Sequence, residues 1–511
     1  MAGNEERAMF DNAEFVRNLR GDKDLPRGAL HVACYVVMAG LWVLYHYARF
    51  QAGEAPARLA EPFLVGMMAF HFVAAAFAGL LAGGASIARD KENGTLDSQR
   101  LTALSPVELA LGKLFGLMAP VHFVNLLGLP MALAAVLLGG YDPLLLLAVF
   151  AILTMASLFY CALGLLMSTG ATKGDNGSGN AMIGGLLLTG VLAGCPMPVL
   201  EGLTPVPALF HLMNCQRAVE RYYPPLAGVG IPIELITLLF YTLGTLACVI
   251  GVTRYFENPS APPWTRRQLL IGYAGVMGAG LAFLLSFPAE IRVDGTSVLL
   301  GIAMFQSILL VALLGCGLLL TPDRERTELE LWRGAASWRE MLFGERGSPL
   351  PFLLLTAMLA NAVPLTLWAS PTFGGAIPPQ EMVLLLVVGN ALIFLSLKLA
   401  GKLHEYLGLV APAYARFLTL MVLLFAALGP LGIGMSMLDR FEEYLPLLLL
   451  ANPPFVLINL VSASHHSYDP PGLATTSILL LCVAASAACF LASRRRAQLA
   501  AEIARRREAL G

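Results

Sequence analysis

The sequence predicts an all-α fold, a polytopic transmembrane helical bundle of about twelve spans arranged as two six-span pseudo-repeats. Three observations carry that reading. Of the 511 residues, 57% are hydrophobic and only 13% charged, about half the ~25% charged residues of an ordinary soluble domain. Apolar runs close to the ~20 residues that cross a bilayer recur at 28–48, 63–86, 114–138, 143–169, 181–200, 231–253, 268–287, 298–320, 351–369, 382–400, 416–436 and 473–493. A polar connector of similar chemistry then returns at the same place in each half.

Residues 1–27 are polar and of mixed charge, without a cleavable signal peptide, since the first apolar run is already of span length. They read as a surface helix. Asp11 and Glu14 stand at capping-box spacing, Phe10 and Phe15 can close a hydrophobic staple, and Phe15, Val16 and Leu19 line one face beside Arg17 and Arg20. A loosely ordered tail is the other reading of the same residues.

The basic residues orient the bundle, because loops on the cytoplasmic side retain Lys and Arg. With the N-terminus inside, only Arg49, Arg58, Arg217, Arg221, Arg292 and Arg440 fall outside, leaving 27 of the 33 Lys and Arg on the cytoplasmic face. Both termini are then cytoplasmic, and the expected location is the plasma (inner) membrane, multi-pass. The net charge of −1 gives no reason to expect a nucleic-acid partner. The partner the composition does imply is the lipid bilayer.

Within the first six-span unit, 28–255, the most informative stretch is the connector 86–113. It contains Arg89-Asp90-Lys91-Glu92-Asn93-Gly94-Thr95-Leu96, then Ser105-Pro106-Val107-Glu108, then Gly112-Lys113. Gly94 can take a positive φ and turn the chain, and Thr95 can cap a short helix through its hydroxyl. That helix carries Leu96, Leu101 and Leu104 among Asp97, Gln99 and Arg100. Ser105 and Glu108 have capping-box spacing with Pro106 at the first helical position, so a second helix runs through Gly112-Lys113 into the third span. The resulting bracket is able to carry a push into a transmembrane helix. An ordinary capped loop between two spans has the same signature.

Shifting the chain by 232 residues lays Ser337, Glu340, Gly344 and Glu345 on Ser105, Glu108, Gly112 and Lys113, and Thr327 on Thr95. The second unit is therefore 268–493 with a diverged connector at 321–350, after the Pro-rich linker 256–267 and before the basic tail 494–511. Each half carries a long loop before its sixth span, with Pro207-Ala208-Leu209-Phe210 in one and Pro453-Pro454-Phe455-Val456 in the other. Segments 201–230 and 437–472 read as half-inserted helices, and 445–462 as one of these or as a further span.

Ionisable groups inside spans are costly and mark functional positions by default. His71, His122 and Glu234 are the obvious ones, with Asn125, Asn361 and Asn390 as polar neighbours. His122 and Asn125 share a helix face, so His71, His122 and Asn125 either line a translocation path or hold helices together by hydrogen bonds. His465, His466 and Asp469 read as a solvated turn rather than a metal site, and no metal is expected. Most cysteines lie in apolar runs, although Cys195 and Cys215 could pair in an oxidising compartment.

The first connector resembles that of the ABC-2 family, the membrane permeases of ATP-driven exporters. The likeness rests on Glu92, Gly94, Thr95, Leu96, Ser105, Pro106, Gly112 and Lys113, with Glu108 completing the capping box. It implies a coupling segment on which an ABC ATPase subunit docks, in two copies, and a permease acting as a homodimer or a single-chain pseudo-dimer. The second half departs from the pattern, since Arg324 and Arg326 stand where Glu92 and Gly94 would align. There, Thr327, Ser337, Glu340 and Gly344 form a possible second coupling segment. The chain contains no Gly-x4-Gly-Lys-Ser/Thr phosphate loop, so no cofactor is expected to bind it and ATP would be hydrolysed by the partner subunit. The resulting expectation is a transport subunit rather than an enzyme. Alternatives are a gradient-driven 6+6 secondary transporter, whose matching buried acids are not evident around Glu234, and a polytopic membrane transferase, for which Glu54 and Glu61 are sparse.

Overall fold

The structure is a computed structural model and describes residues 12–20, 27–169, 208–209, 212, 225–226, 229–230, 232–259, 263–272, 274–275, 350–362, 365, 379–410 and 470–510. It divides into two compact units, Met1–Pro263 and Trp264–Gly511.

The first unit contains α1 (Ala13–Arg20), α2 (Arg27–Gln51), α3 (Pro56–Glu92), α4 (Leu96–Arg100), α5 (Pro106–Gly139), α6 (Pro143–Thr169) and α7 (Ile233–Glu257). A minimal antiparallel pair, β1 (Pro225–Leu226) with β2 (Val229–Gly230), precedes α7. Among the described residues four helices are long and apolar enough to cross a membrane, namely α3, α5, α6 and α7 from Glu234 onward. The chain is a membrane-embedded, helical protein. At 37 residues, α3 is about 55 Å long. Its ends therefore stand clear of a hydrocarbon layer of about 30 Å.

The centre of this unit is α6, whose most apolar window is 61% buried, with α3, α5 and α7 packed around it. Without a hydrophobic driving force in lipid, close approach of backbones supplies the attraction, and small residues permit it. A Cβ at Gly83 would overlap the Cys161 carbonyl, and one at Gly164 would come 2.8 Å from Leu80 O. Tyr160 and Tyr241 fill the deeper space, each 1% exposed, against Phe159. On the far side of α7, Leu235, Leu239, Leu243 and Leu246 are 54–55% exposed at helical spacing, a stripe whose natural solvent is lipid.

The second unit supplies α8 (Leu350–Ala360), α9 (Pro379–Val410) and α10 (Pro470–Leu510). Asn361, just past α8, donates through Nδ2 to Asn390 Oδ1 on α9 at 2.9 Å, the interhelical use of polar side chains that an apolar medium favours. On α9, Glu405 pairs with Lys402 at 2.6 Å and reaches Arg496 of α10 at 3.5 Å. At the start of the unit Thr265 and Gln268 bond reciprocally, the hydroxyl accepting from Gln268 N and the amide oxygen accepting from Thr265 N. This is a capping box that the sequence reading passed over. The second connector up to residue 349, the segment 437–469 and the Cys195/Cys215 pair lie outside the described residues, while 470–472, expected as the end of a loop, are the first residues of α10.

Candidate functional site

The connector is built as a turn braced from three sides. Gly94 has φ +66°, the left-handed conformation that glycine adopts without a Cβ clash. The Gly94 and Thr95 amides donate to Lys91 O and Asp90 O at 3.3 and 2.9 Å. The expected role of Thr95 is corrected. Its backbone is already helical, at φ −88° and ψ −12°, and its hydroxyl makes no cap to α4. Instead Oγ1 turns back to Asp90 Oδ1 at 3.2 Å, because a residue in αR geometry cannot present its side chain to the amides ahead of it as an extended N-cap does. Downstream the capping box forms as its spacing predicts, with Glu108 N donating to Ser105 Oγ at 3.3 Å and Ser105 N to Glu108 Oε2 at 2.6 Å. Pro106 occupies the first helical turn.

Lys113, one residue past Gly112, is fully buried. Its Nζ donates to Asp90 Oδ2 on α3 and lies 2.8 Å from Glu14 Oε1 on α1. Arg17 bridges the same two acids, 2.8 Å from Glu14 Oε1 and 3.2 Å from Asp90 Oδ2. Two cations and two carboxylates thus close a ring joining α1, α3 and α5. Such a network repays desolvation only when each charge is met by another, and each is. Asp11 and Phe10, the expected cap and staple residues, lie outside the described residues, and α1 follows directly on Asn12. The Asn12 Oδ1 caps Glu14 N and Phe15 N at 2.9 and 3.3 Å, and its Nδ2 donates to Glu108 O at 2.8 Å. Gly112 and Gly116 give α1 its seat, since a Cβ at Gly116 would stand 2.9 Å from Phe15 O.

The bracket reaches two further helices. Lys91 Nζ donates to Thr169 O at the C-terminal end of α6 at 2.8 Å, where a cation also meets the negative end of the helix dipole. Arg100 at the end of α4 lies over the Tyr255 ring of α7, 5.0 Å from its centroid, with Nη2 3.4 Å from Tyr255 O. Lys91 approaches the same ring at 5.1 Å. Leu96 and Gln99 turn inward, whereas Asp97 (87%, side chain) and Leu101 (88%) are almost fully open, and Glu92, Gly94 and Ser105 are exposed.

Of the residues singled out from sequence, the structure therefore places Glu92, Gly94 and Ser105 outward. Thr95, Pro106 and Glu108 are half-buried, and Leu96, Gly112 and Lys113 lie inside. Thr327, Ser337, Glu340 and Gly344 lie outside the described residues. The sequence reading missed Asn12, Asp90 and Tyr255 as members of the bracket, and gave Glu14 and Arg17 only a local part. A signal existed: Lys113 is a lone cation inside an apolar helix, which demands a carboxylate nearby.

A second polar group sits within the bundle. His71 (1% exposed) and Asn125 (4%) join α3 to α5, with Nδ1 and Oδ1 2.9 Å apart. His71 Nε2, Asn125 Nδ2 and both nitrogens of His122 are buried with no partner among the described residues. Asn125 thus turns to His71, and His122 does not join the pair. Glu234 is buried at the start of α7. No group of His, Cys, Asp and Glu among the described residues could hold a metal ion.

No protein-family model matches the chain, and no curated protein matches it.

Proposed function

We propose that the chain is the membrane-spanning permease of an ATP-driven exporter, with the ATPase a separate soluble subunit that seats on the connector 86–113. One observation carries this reading. A short helix open at Asp97 and Leu101 lies over α7 through Arg100 and Tyr255, and its flanks are tied in turn: Asp90 pairs with Arg17 of α1 and Lys113 of α5, Lys91 bonds the end of α6, and Ser105 with Glu108 caps the start of α5. A displacement applied at α4 would pass to α7 through Arg100 and, across the Gly94 turn, to the ties that Asp90 and Lys91 make with α1, α5 and α6.

On this reading the chain forms about twelve spans as a 6+6 pseudo-dimer in the inner membrane, with both termini cytoplasmic. Two ATPase copies would close beneath it, one on each connector, and rock the halves about their interface, the rigid-body gating used by duplicated transporters. Thr327, Ser337, Glu340 and Gly344 would serve the second copy. His71 with Asn125 also supports a gradient-driven transporter, because it is an intramembrane ionisable group with unspent hydrogen-bonding capacity.

The test is purification from detergent-solubilised native membranes, with transport measured in parallel for Glu92→Ala and Gly94→Pro. The exporter reading expects a stoichiometric ATPase with the native chain and loss of transport in both variants at normal insertion. A chain that purifies free of any ATPase, or full transport by both variants, would sink the coupling role.

A further inference from the structure

The outward face of α10 changes chemistry partway along its length. The packed side of the helix runs through Ala485, Ala488, Ala492, Leu499 and Ile503, all buried, and at 3.6 residues per turn these fall within about 60° of one another around the axis. The opposite side carries Leu479, Val483 and Phe490, each 63–64% exposed. They form a stripe inside the apolar run 473–493, and the natural solvent of such a stripe is lipid. It leads directly to Arg494, which stands four residues after Phe490 and eleven after Val483. Arg494 therefore shares their face, and it is exposed as they are.

The neighbours of Arg494 are engaged within the protein. Arg495 Nη1 donates to Gln498 Oε1 at 3.0 Å, and Arg496 Nη1 lies 3.5 Å from Glu405 Oε1 on α9. Glu405 is shared with Lys402, 2.6 Å away. Arg494 itself makes no hydrogen bond or ion pair among the described residues. Where the apolar run ends, the cations Arg494, Arg495, Arg496 and Lys402 are thus met, among the described residues, by the single carboxylate of Glu405. The cluster keeps an uncompensated positive charge, and its one free guanidinium points the way the stripe points.

A lipid lying on Val483 and Phe490 brings its headgroup to Arg494. A phosphate accepts the two parallel donors of a guanidinium, and the charge of the cluster favours a headgroup whose phosphate is not balanced by an ammonium. We infer that this face of α10 binds an anionic phospholipid, an acyl chain lying along Leu479, Val483 and Phe490 and the phosphate resting on Arg494. Arg505 is the natural control. It lies eleven residues further on the same face, is exposed, and has no partner among the described residues. It stands about 16 Å beyond Arg494 along the helix, twice the ~8 Å over which salt screens the field of a membrane surface. The site requires only that α10 lies in a bilayer. Its failure and the failure of ATPase coupling are therefore separable.

The experiment uses the full chain in phosphatidylcholine nanodiscs containing a small amount of one of two probes with the same photoreactive acyl chain, a phosphatidylglycerol or a phosphatidylcholine. Adducts are expected in 479–490, with the phosphatidylglycerol probe labelling about fivefold more strongly, the factor one arginine near an anionic surface supplies. Arg494→Gln should remove most of that preference, Arg494→Lys should keep most of it by retaining the charge, and Arg505→Gln should leave it unchanged. Equal labelling of the native chain by the two probes, a preference that survives Arg494→Gln, or one that Arg505→Gln abolishes as fully would overturn the inference. An absence of adducts in 479–490 would do the same, since the stripe would then be covered by protein.

Discussion

Replacing Lys113 by Met is the sharpest perturbation of the bracket, because the side chain is fully buried and faces two carboxylates. Methionine fills nearly the same volume, so packing changes little and the charge alone is removed. Asp90 and Glu14, with side chains 10% and 4% exposed, then share only Arg17. Breaking a buried pair from one side costs about 3–5 kcal/mol, since the remaining charge stays desolvated. At about 1.4 kcal/mol per decade, roughly 4 kcal/mol raises the opening of α1 from α5 by about three decades. Hydrogen–deuterium exchange of the last turn of α1 in detergent micelles reads this directly. The triple variant Glu14→Gln, Asp90→Asn, Lys113→Met removes the stranded charges and should recover most of the protection. Exchange within threefold of the native chain for Lys113→Met, or no recovery in the triple variant, would refute the idea that this network holds α1 down.

Other substitutions separate conformational from steric demands. Gly94→Ala meets no atom within 4 Å, so its cost is backbone strain alone at φ +66°, about 1–2 kcal/mol, and Gly94→Asn should recover part of it; faster exchange of the Thr95 amide measures both. Gly83→Leu drives a side chain into the Cys161 backbone and should collapse the yield of monodisperse protein on size exclusion, while Gly40→Leu, open to its surroundings, should not. Ser105→Ala removes the cap from the start of α5 and should cost about 1 kcal/mol, seen as faster exchange over residues 107–109. The Arg49 guanidinium, chiefly through its hydrogen bond, holds the Glu54 carboxyl below its ordinary 4.5. A depressed acid contributes its stabilisation above its unfolded value and loses it as pH falls through the folded one. Arg49→Met should therefore raise the Glu54 midpoint in a carboxyl-resolved NMR titration.

Local backbone chemistry was legible in the sequence, and long-range pairing was not. The Ser105/Glu108 box and the Gly94 turn depend on residues within a few positions of one another, so spacing alone predicts them. Thr95 was misread because its hydroxyl had two destinations, and the nearer carboxylate of Asp90 wins once the backbone has entered αR. Asn12 was not legible as a cap of α1, because its amide also serves Glu108 O on another helix, a partner 96 residues away. The ring of Glu14, Arg17, Asp90 and Lys113 has the same character: four ordinary charges in sequence, joined only once α1 lies across Gly112 and Gly116.

The most direct test of force transmission through the connector is a photo-crosslinking amino acid placed at Leu101, the most open apolar residue of the bracket at 88%, in cells expressing the full chain. The account predicts an adduct with a soluble ATP-binding subunit that disappears when Arg100→Ala frees α4 from Tyr255. Adducts with lipid alone, or an ATPase adduct unchanged by Arg100→Ala, would contradict it.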